Sequence, residues 1–202
     1  MRWLPILWAL VCTSGAALAQ TAYPMVDPTK ALQGTALVAQ LRQGGYVLYM
    51  RHAISGPPTE HCKPQSGLTP EGEAQARAVG TALRALKIPV GAVWSSQTCR
   101  TEHTAQLLEL GPVATTLDLN PAGGDIQAER DAARTRRLLA LPAPGQNTVL
   151  VAHVQSAQQP QDQIQLAFAE IIVFRAGTPG RPDPVARITL LDWQALVAAA
   201  AD

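Results

Sequence analysis

The 202-residue chain is poor in aromatics, cysteine and charge: aromatics are 4%, charged residues 15%, and there are three cysteines. The charge it has is balanced, 16 basic side chains against 15 acidic, for a formal net charge of +1. Nothing in that balance favours nucleic acid or an anionic membrane as a partner. The one long apolar run, Trp3 to Cys12, is too short to span a bilayer. No internal repeat is present, which argues against a solenoid. What remains is an alanine-rich chain of ordinary apolar content, 47%, long enough for one domain with a sizeable core.

The N-terminus reads as a targeting segment. Met1-Arg2 is a short positive region, Trp3 to Cys12 an apolar stretch broken at Pro5, and Ala17-Leu18-Ala19 a small-x-small cleavage site before Gln20. Residues 1–19 are therefore expected to be a signal peptide and 20–202 a single domain, periplasmic or secreted. Cys12 lies inside the apolar run and not at the cleavage site, so lipidation is not expected. Removing the signal takes away Arg2 and no acid, which leaves the mature chain close to neutral. Cys62 and Cys99 remain. An even pair in an oxidising compartment is a disulfide candidate. His61 beside Cys62 and His103 after Cys99 offer the other reading, a zinc set, although the adjacent His61-Cys62 lacks zinc-finger spacing.

Along the chain, apolar β-rich runs alternate with helical patterns. Asp27-Pro28 predicts a helix start with the helix running to about Gln43, where Gly44-Gly45 ends it. Tyr46 to Arg51 reads as a buried strand. Ile54 to Gly67, with three prolines, reads as a loop. Thr69-Pro70-Glu71 is a strong helix start, followed by Ala76, Val79, Leu83 and Leu86 on one face. Ala92 to Trp94 predicts a short strand, Thr98 to Leu110 a helix, and Gly111 to Gly124 a loop with a short strand. Asp125 to Ala140 reads as a charged helix. Thr148 to Ala152 reads as a buried strand, Val154 to Gln165 as a Gln-rich polar segment, and Glu170 to Phe174 and Val185 to Leu191 as strands joined by a hairpin loop. Asp192 to Ala201 reads as a tail helix. This alternation predicts an α/β fold, a three-layer α/β/α sandwich with a mostly parallel sheet.

Ligand chemistry in such sheets gathers beyond the carboxyl ends of strands. Three of those ends carry cationic or ionisable groups: Arg51-His52, Arg100 just past Ser95-Ser96, and His153. Arginine forks suit phosphate, and imidazole can act as nucleophile or base. Together they would form a compact pocket for a dianionic phosphoryl group.

These features resemble the histidine phosphatase superfamily, with its phosphoglycerate-mutase-like fold. Its Arg-His-Gly signature appears as Arg51-His52-Ala53. Its Leu-Ser/Thr-x-x-Gly helix opening appears as Leu68-Thr69-Pro70-Glu71-Gly72. Its Ser-Ser-x-x-x-Arg-x-x-x-Thr-Ala segment runs from Ser95 to Ala105, and its late strand-then-histidine is Val149 to His153. The resemblance spans roughly Leu41 to Leu191 and looks closest to a short exported branch that includes lipopolysaccharide-core heptose phosphatases and tends to carry paired cysteines. Three departures stand out: Ser66 occupies a place where the family usually has a further arginine, Ala152 precedes His153 in place of glycine, and His103 stands where Glu or Gln is frequent.

The resemblance implies a phosphomonoesterase in which His52 is the nucleophile, Arg51, Arg100 and His153 bind the phosphoryl oxygens, and no metal or other cofactor is needed. Its substrate would be a phosphorylated small molecule or glycan. Glu170 is the first choice for the acid that protonates the leaving group, with Asp118, Asp125 and Glu60 behind it. The competing expectation is a phosphate- or phosphosugar-binding protein on the same fold without turnover. A mutase would require a longer insertion than this chain has.

Overall fold

Strand β1 (Tyr46–Arg51) lies inside the sheet, and the rest of the chain packs around it. The computed structural model describes residues 26, 27, 29–121, 124–153, 166–177 and 182–200. The expected signal peptide and the Gln-rich 154–165 segment lie outside the described residues. Helix α1 (Gly34–Gln43) leads into β1. A hairpin of β2 (Ser55–Pro58) and β3 (Ser66–Leu68) follows, then α2 (Pro70–Ala85), β4 (Val90–Ser96), α3 (Cys99–Leu107) and β5 (Val113–Thr116). The remaining elements are α4 (Gln127–Leu139), β6 (Asn147–Ala152), β7 (Ile171–Arg175), β8 (Asp183–Ile188) and α5 (Leu190–Ala199).

The main sheet has the order β5-β4-β6-β1-β7-β8. The first four strands are parallel, and β7 and β8 run antiparallel along one edge. Because β4, β6 and β1 are parallel neighbours, their carboxyl ends emerge side by side, roughly 5 Å apart from one strand to the next. Ser95-Ser96, His153 and His52 sit at those three ends.

Side-chain alternation sorts the core into two layers. Tyr46, Leu48 and Met50 of β1 face one side, with Val149, Val151, Ile171 and Val173, and pack under α1, α2, α3 and Trp193 of α5. Val47 and Tyr49 face the other side and meet Leu138 of α4, Leu119, Leu166 and Phe174. The result is a three-layer sandwich with a mostly parallel mixed sheet. Among the described residues no helix is long and apolar enough to cross a membrane.

Helix α2 starts as its sequence predicts, with the Thr69 hydroxyl accepting from the Gly72 amide at 3.1 Å. Gly72 has a second reason to be glycine. A Cβ there would lie 2.0 Å from the carbonyl oxygen of Ile54, so α2 presses directly on the chain leaving His52.

Three expectations need correction. Helix α1 begins at Gly34, not at Asp27, whose carboxylate instead accepts from the amide and hydroxyl of Thr29 in a local turn. The stretch from Ile54 to Gly67 is not simply a loop. It contains the β2–β3 hairpin, in which Ser55 pairs with Leu68 and Pro58 with Ser66 across an irregular register. The charged helix opens with a 3₁₀ turn at Gly124–Ile126 before α4 begins.

Cys62 and Cys99 form a disulfide with their Cα atoms 5.5 Å apart. It staples the hairpin loop to the first residue of α3, the helix that carries Arg100. With both sulfurs so engaged, the alternative zinc set has no thiolates, and His61 and His103 are left as neighbouring rings 4.7 Å apart.

Candidate active site

His52 is fixed by its backbone before its ring does anything. Its amide donates to Ala152 on β6 at 2.9 Å, and its carbonyl accepts from Ala169 at 3.3 Å, so strand pairing continues one residue past the end of β1. Its ring Nδ1–H donates to the Ala53 carbonyl at 2.8 Å. That bond puts the proton on Nδ1 and makes Nε2 an acceptor at the strand ends.

His153 stands opposite. The two ring centroids are 5.4 Å apart and steeply inclined. Arg100 bridges them: its Nε donates to His52 Nε2 at 3.2 Å, and its Nη2 to His153 Nδ1, also at 3.2 Å. The first turn of α3 carries this arginine back toward the strand ends. Thr104, one turn on, accepts from the Ala53 amide at 3.1 Å and donates to the Arg100 carbonyl at 2.7 Å, which ties α3 to the His52 segment.

Both histidines are buried and held neutral. Burial, opposed by the bond to Ala53 and aided by the Arg100 and Arg51 charges, pushes His52 down to about 4. Burial, with Arg100 next in weight, pushes His153 down to about 3. A neutral imidazole with an available lone pair, set among fixed guanidinium groups, is the form that can attack an electrophilic phosphorus.

Arg51 lies at the same place but is partly engaged. Its Nη1 donates to the Leu166 carbonyl at 2.6 Å, and its guanidinium lies 3.8 Å over the ring of Phe168. Its Nε is buried without a partner. Its charge is felt at both imidazoles, where it disfavours a second proton.

Residues 47–122 match the sequence profile of the histidine phosphatase superfamily (branch 1). No curated protein matches it by sequence. Among solved structures it is similar to the protein histidine phosphatase SixA complexed with tungstate, at 16% identity and a TM-score of 0.51, covering 73% of this chain and 98% of that one. It is also similar to a SixA protein from Nakamurella multipartitia, at 18% identity and a TM-score of 0.50, covering 71% and 95% of the respective chains. At such identities the likeness speaks for the fold, the phosphoglycerate-mutase-like sandwich.

The structure brings His52, Arg100 and His153 into one contact group, with Arg51 at its edge. It does not bring Glu170 there as a free acid. Glu170 is 2% exposed, and Arg187 grips both of its oxygens, Nε on Oε1 and Nη2 on Oε2 at 2.9 Å. The Ala167 amide adds a third donor at 2.6 Å. A carboxylate spent as an acceptor for three donors is an anchor for the chain around Phe168, not a proton donor for a leaving group. The other carboxylates considered are engaged or remote in the same sense. Asp118 accepts from Arg137 Nε at 2.7 Å, which holds it below the usual carboxylate range. Glu60 pairs with Lys63 in solvent, and Asp125 is exposed in the 3₁₀ turn. Among the described residues no carboxylate touches His52, Arg100 or His153.

Two features escape a linear reading. Phe168 sits 5.6 Å from the His52 ring as well as over Arg51. Nothing in its sequence neighbourhood marks it, because it reaches the site only through the anchored turn before β7. The hydroxyls of Ser96, Thr98 and Thr101 cluster behind His153. The Ser-Ser pair is visible in the sequence, but its attachment to a residue 57 positions away is not.

Proposed function

We propose that this chain is an exported, metal-independent phosphomonoesterase that works through a phosphohistidine on His52. The observation that carries the reading is the Nδ1–H bond of His52 to the Ala53 carbonyl at 2.8 Å, which directs a neutral Nε2 lone pair at the space lined by Arg100 and Arg51. In the forward step, Nε2 attacks phosphorus in line, the P–O ester bond breaks, and the leaving alkoxide takes a proton from solvent. Water then cleaves the P–N bond and regenerates His52. Arg100, on leaving the imidazoles, and the nearby charge of Arg51 would neutralise charge spreading over the phosphoryl oxygens. These fixed cations give the positive field that a metal ion supplies elsewhere, which supports metal independence. The substrate would be a phosphorylated small molecule or glycan. Export is supported by the N-terminal pattern of residues 1–19 together with the Cys62–Cys99 disulfide.

The test is hydrolysis of an aryl phosphate in the presence of chelator, with mass-spectrometric trapping of phosphate on residue 52. Turnover should be blocked by vanadate and lost in His52→Ala. Turnover that survives that substitution overturns the reading. One observation favours the second possibility, a phosphate-binding protein without turnover: Ser66 is paired into β3 where the family usually has an arginine, so one phosphate ligand is missing. Tight phosphate binding with no phosphohistidine formed would decide for it.

A further inference from the structure

Arg51 ends β1, and the turn at residues 166–170 is folded around it. The Arg51 amide donates to the Glu170 carbonyl at 3.1 Å, and its Nη1 donates to the Leu166 carbonyl at 2.6 Å. The Ala169 amide donates to the His52 carbonyl at 3.3 Å. Ala169 is wholly buried and holds φ at +60°, a left-handed conformation that strains any residue with a Cβ. Glu170 keeps the turn in that shape. Its Oε2 accepts from the Ala167 amide, and Arg187 of β8 donates to both of its oxygens.

Two arginines therefore share the neighbourhood of one carboxylate. Glu170, whose charge Arg51 also feels, is already spent on Arg187. Arg51 is fastened by uncharged groups instead: the Leu166 carbonyl, and the ring of Phe168 with its centroid 3.8 Å from the guanidinium carbon. A bonded carboxylate would fix the guanidinium and cancel its charge. An aromatic face fixes it and leaves the charge in place, because the ring is neutral and attracts the cation only through its quadrupole. The same ring lies 5.6 Å from the His52 ring, so the place where Phe168 holds Arg51 is beside the nucleophile.

We propose that Phe168 is a positioning residue that fixes the Arg51 guanidinium beside His52 without a counter-ion, so that its full positive charge serves the phosphoryl group during transfer. The inference rests on the phosphatase reading and adds to it a residue that acts through Arg51. Without the ring, Arg51 keeps its bond to Leu166 but loses the surface that holds its plane, and a long flexible side chain spends its charge partly in solvent.

Steady-state kinetics on an aryl phosphate test this with Phe168→Leu, Phe168→Tyr, Arg51→Gln and the double variant Phe168→Leu/Arg51→Gln, each shown to be folded by its melting transition. Leucine keeps an apolar side chain and loses the π face, whereas tyrosine keeps the face. Phe168→Leu should lower kcat on the order of tenfold with less change in KM, and Phe168→Tyr should stay within about twofold of wild type. Phe168→Met takes the place of the leucine variant if that one does not fold. In the Arg51→Gln background the leucine substitution should cost less than about twofold more, as expected of two residues acting as one unit. Losses that multiply in the double variant, or a tyrosine variant as slow as the leucine one, overturn the proposal. If wild type turns over through His52 and Phe168→Leu matches it, this inference alone fails. If wild type hydrolyses no ester, the phosphatase reading fails and takes this one with it.

Discussion

Arg100 donates to both histidines at once, Nε to His52 and Nη2 to His153, each at 3.2 Å. The two bonds require two N–H groups held rigidly at the spacing of a planar fork. Lysine keeps the charge and loses the fork. Arg100→Lys should therefore lower kcat/KM for an aryl phosphate by about 10²- to 10³-fold, the range seen when one preorganised donor to a developing anion is removed. Most of the loss should fall in kcat, because the missing contact forms most strongly as charge spreads over the phosphoryl oxygens. Steady-state kinetics on the two proteins decide it, and a loss confined to KM would speak for simple anion binding.

Glu170 and Arg187 make a prediction that separates anchoring from acid catalysis. The Glu170 side chain is 3% exposed and that of Arg187 is 39% exposed. Arg187→Ala leaves a buried carboxylate without its main partner and should cost about 2–4 kcal/mol, below or within the range for fully buried pairs because the arginine is partly hydrated. Glu170→Gln should lower the melting temperature yet keep kcat per folded molecule within a few-fold of wild type. A leaving-group acid at this position would lose far more, and most of all with poor leaving groups, so a comparison of alkyl and aryl phosphates reads the difference.

This position also marks how far the sequence could be read. The strands ending on His52 and His153 declare themselves as apolar runs, because inner strands buried on both faces need no alternation, whereas β4, partly exposed over Val90 to Ala92, is legible only over Ala92 to Trp94. The start of α2 was legible from Thr69-Pro70 because capping is local. Glu170 was not legible, since its fate depends on Arg187, brought alongside only by the antiparallel pairing of β7 with β8. The start of α1 was misread for a smaller reason: the same Asp27 carboxylate that can cap a helix can close a turn on Thr29. The β2–β3 hairpin was hidden by Gly56, Pro57 and Pro58, residues common in loops that are tolerated in a short two-stranded ribbon away from the main sheet.

The Cys62–Cys99 disulfide closes a loop with a sequence separation of 37. Chain-entropy arguments for a loop of that length give about 3–4 kcal/mol of stability. The double variant Cys62→Ala/Cys99→Ala should lose that much and melt about 10 °C lower. Because the bond holds the first residue of α3, one position before Arg100, kcat/KM should also fall in the folded variant, on the order of several-fold. Calorimetry and kinetics on the oxidised protein, the reduced protein and the variant check both, with the reduced protein expected to match the variant.

The two site histidines should make the fold acid-sensitive in a defined window. Their ordinary value is 6.5, and the folded protein holds His52 at about 4 and His153 at about 3. As pH falls through 6.5 the unfolded chain takes up protons at both rings, while the folded protein does not until it nears those lower values. The unfolded state binds more protons throughout the interval, so stability rises with pH across it, is complete above about 6.5 and is lost toward pH 4. Each unit of depression corresponds to about 1.4 kcal/mol, so His52 alone accounts for on the order of 3 kcal/mol by the bottom of the window. Asp118, lowered from 3.8 chiefly by its bond from Arg137, acts in the same direction at lower pH: its stabilisation is complete above its unfolded value and is lost only below it. Urea midpoints at pH 7.0, 6.0, 5.0 and 4.5 should therefore fall steadily in the wild type and less steeply in His52→Gln, which has no imidazole to protonate. Parallel slopes in the two proteins would mean that His52 is not held neutral by the fold.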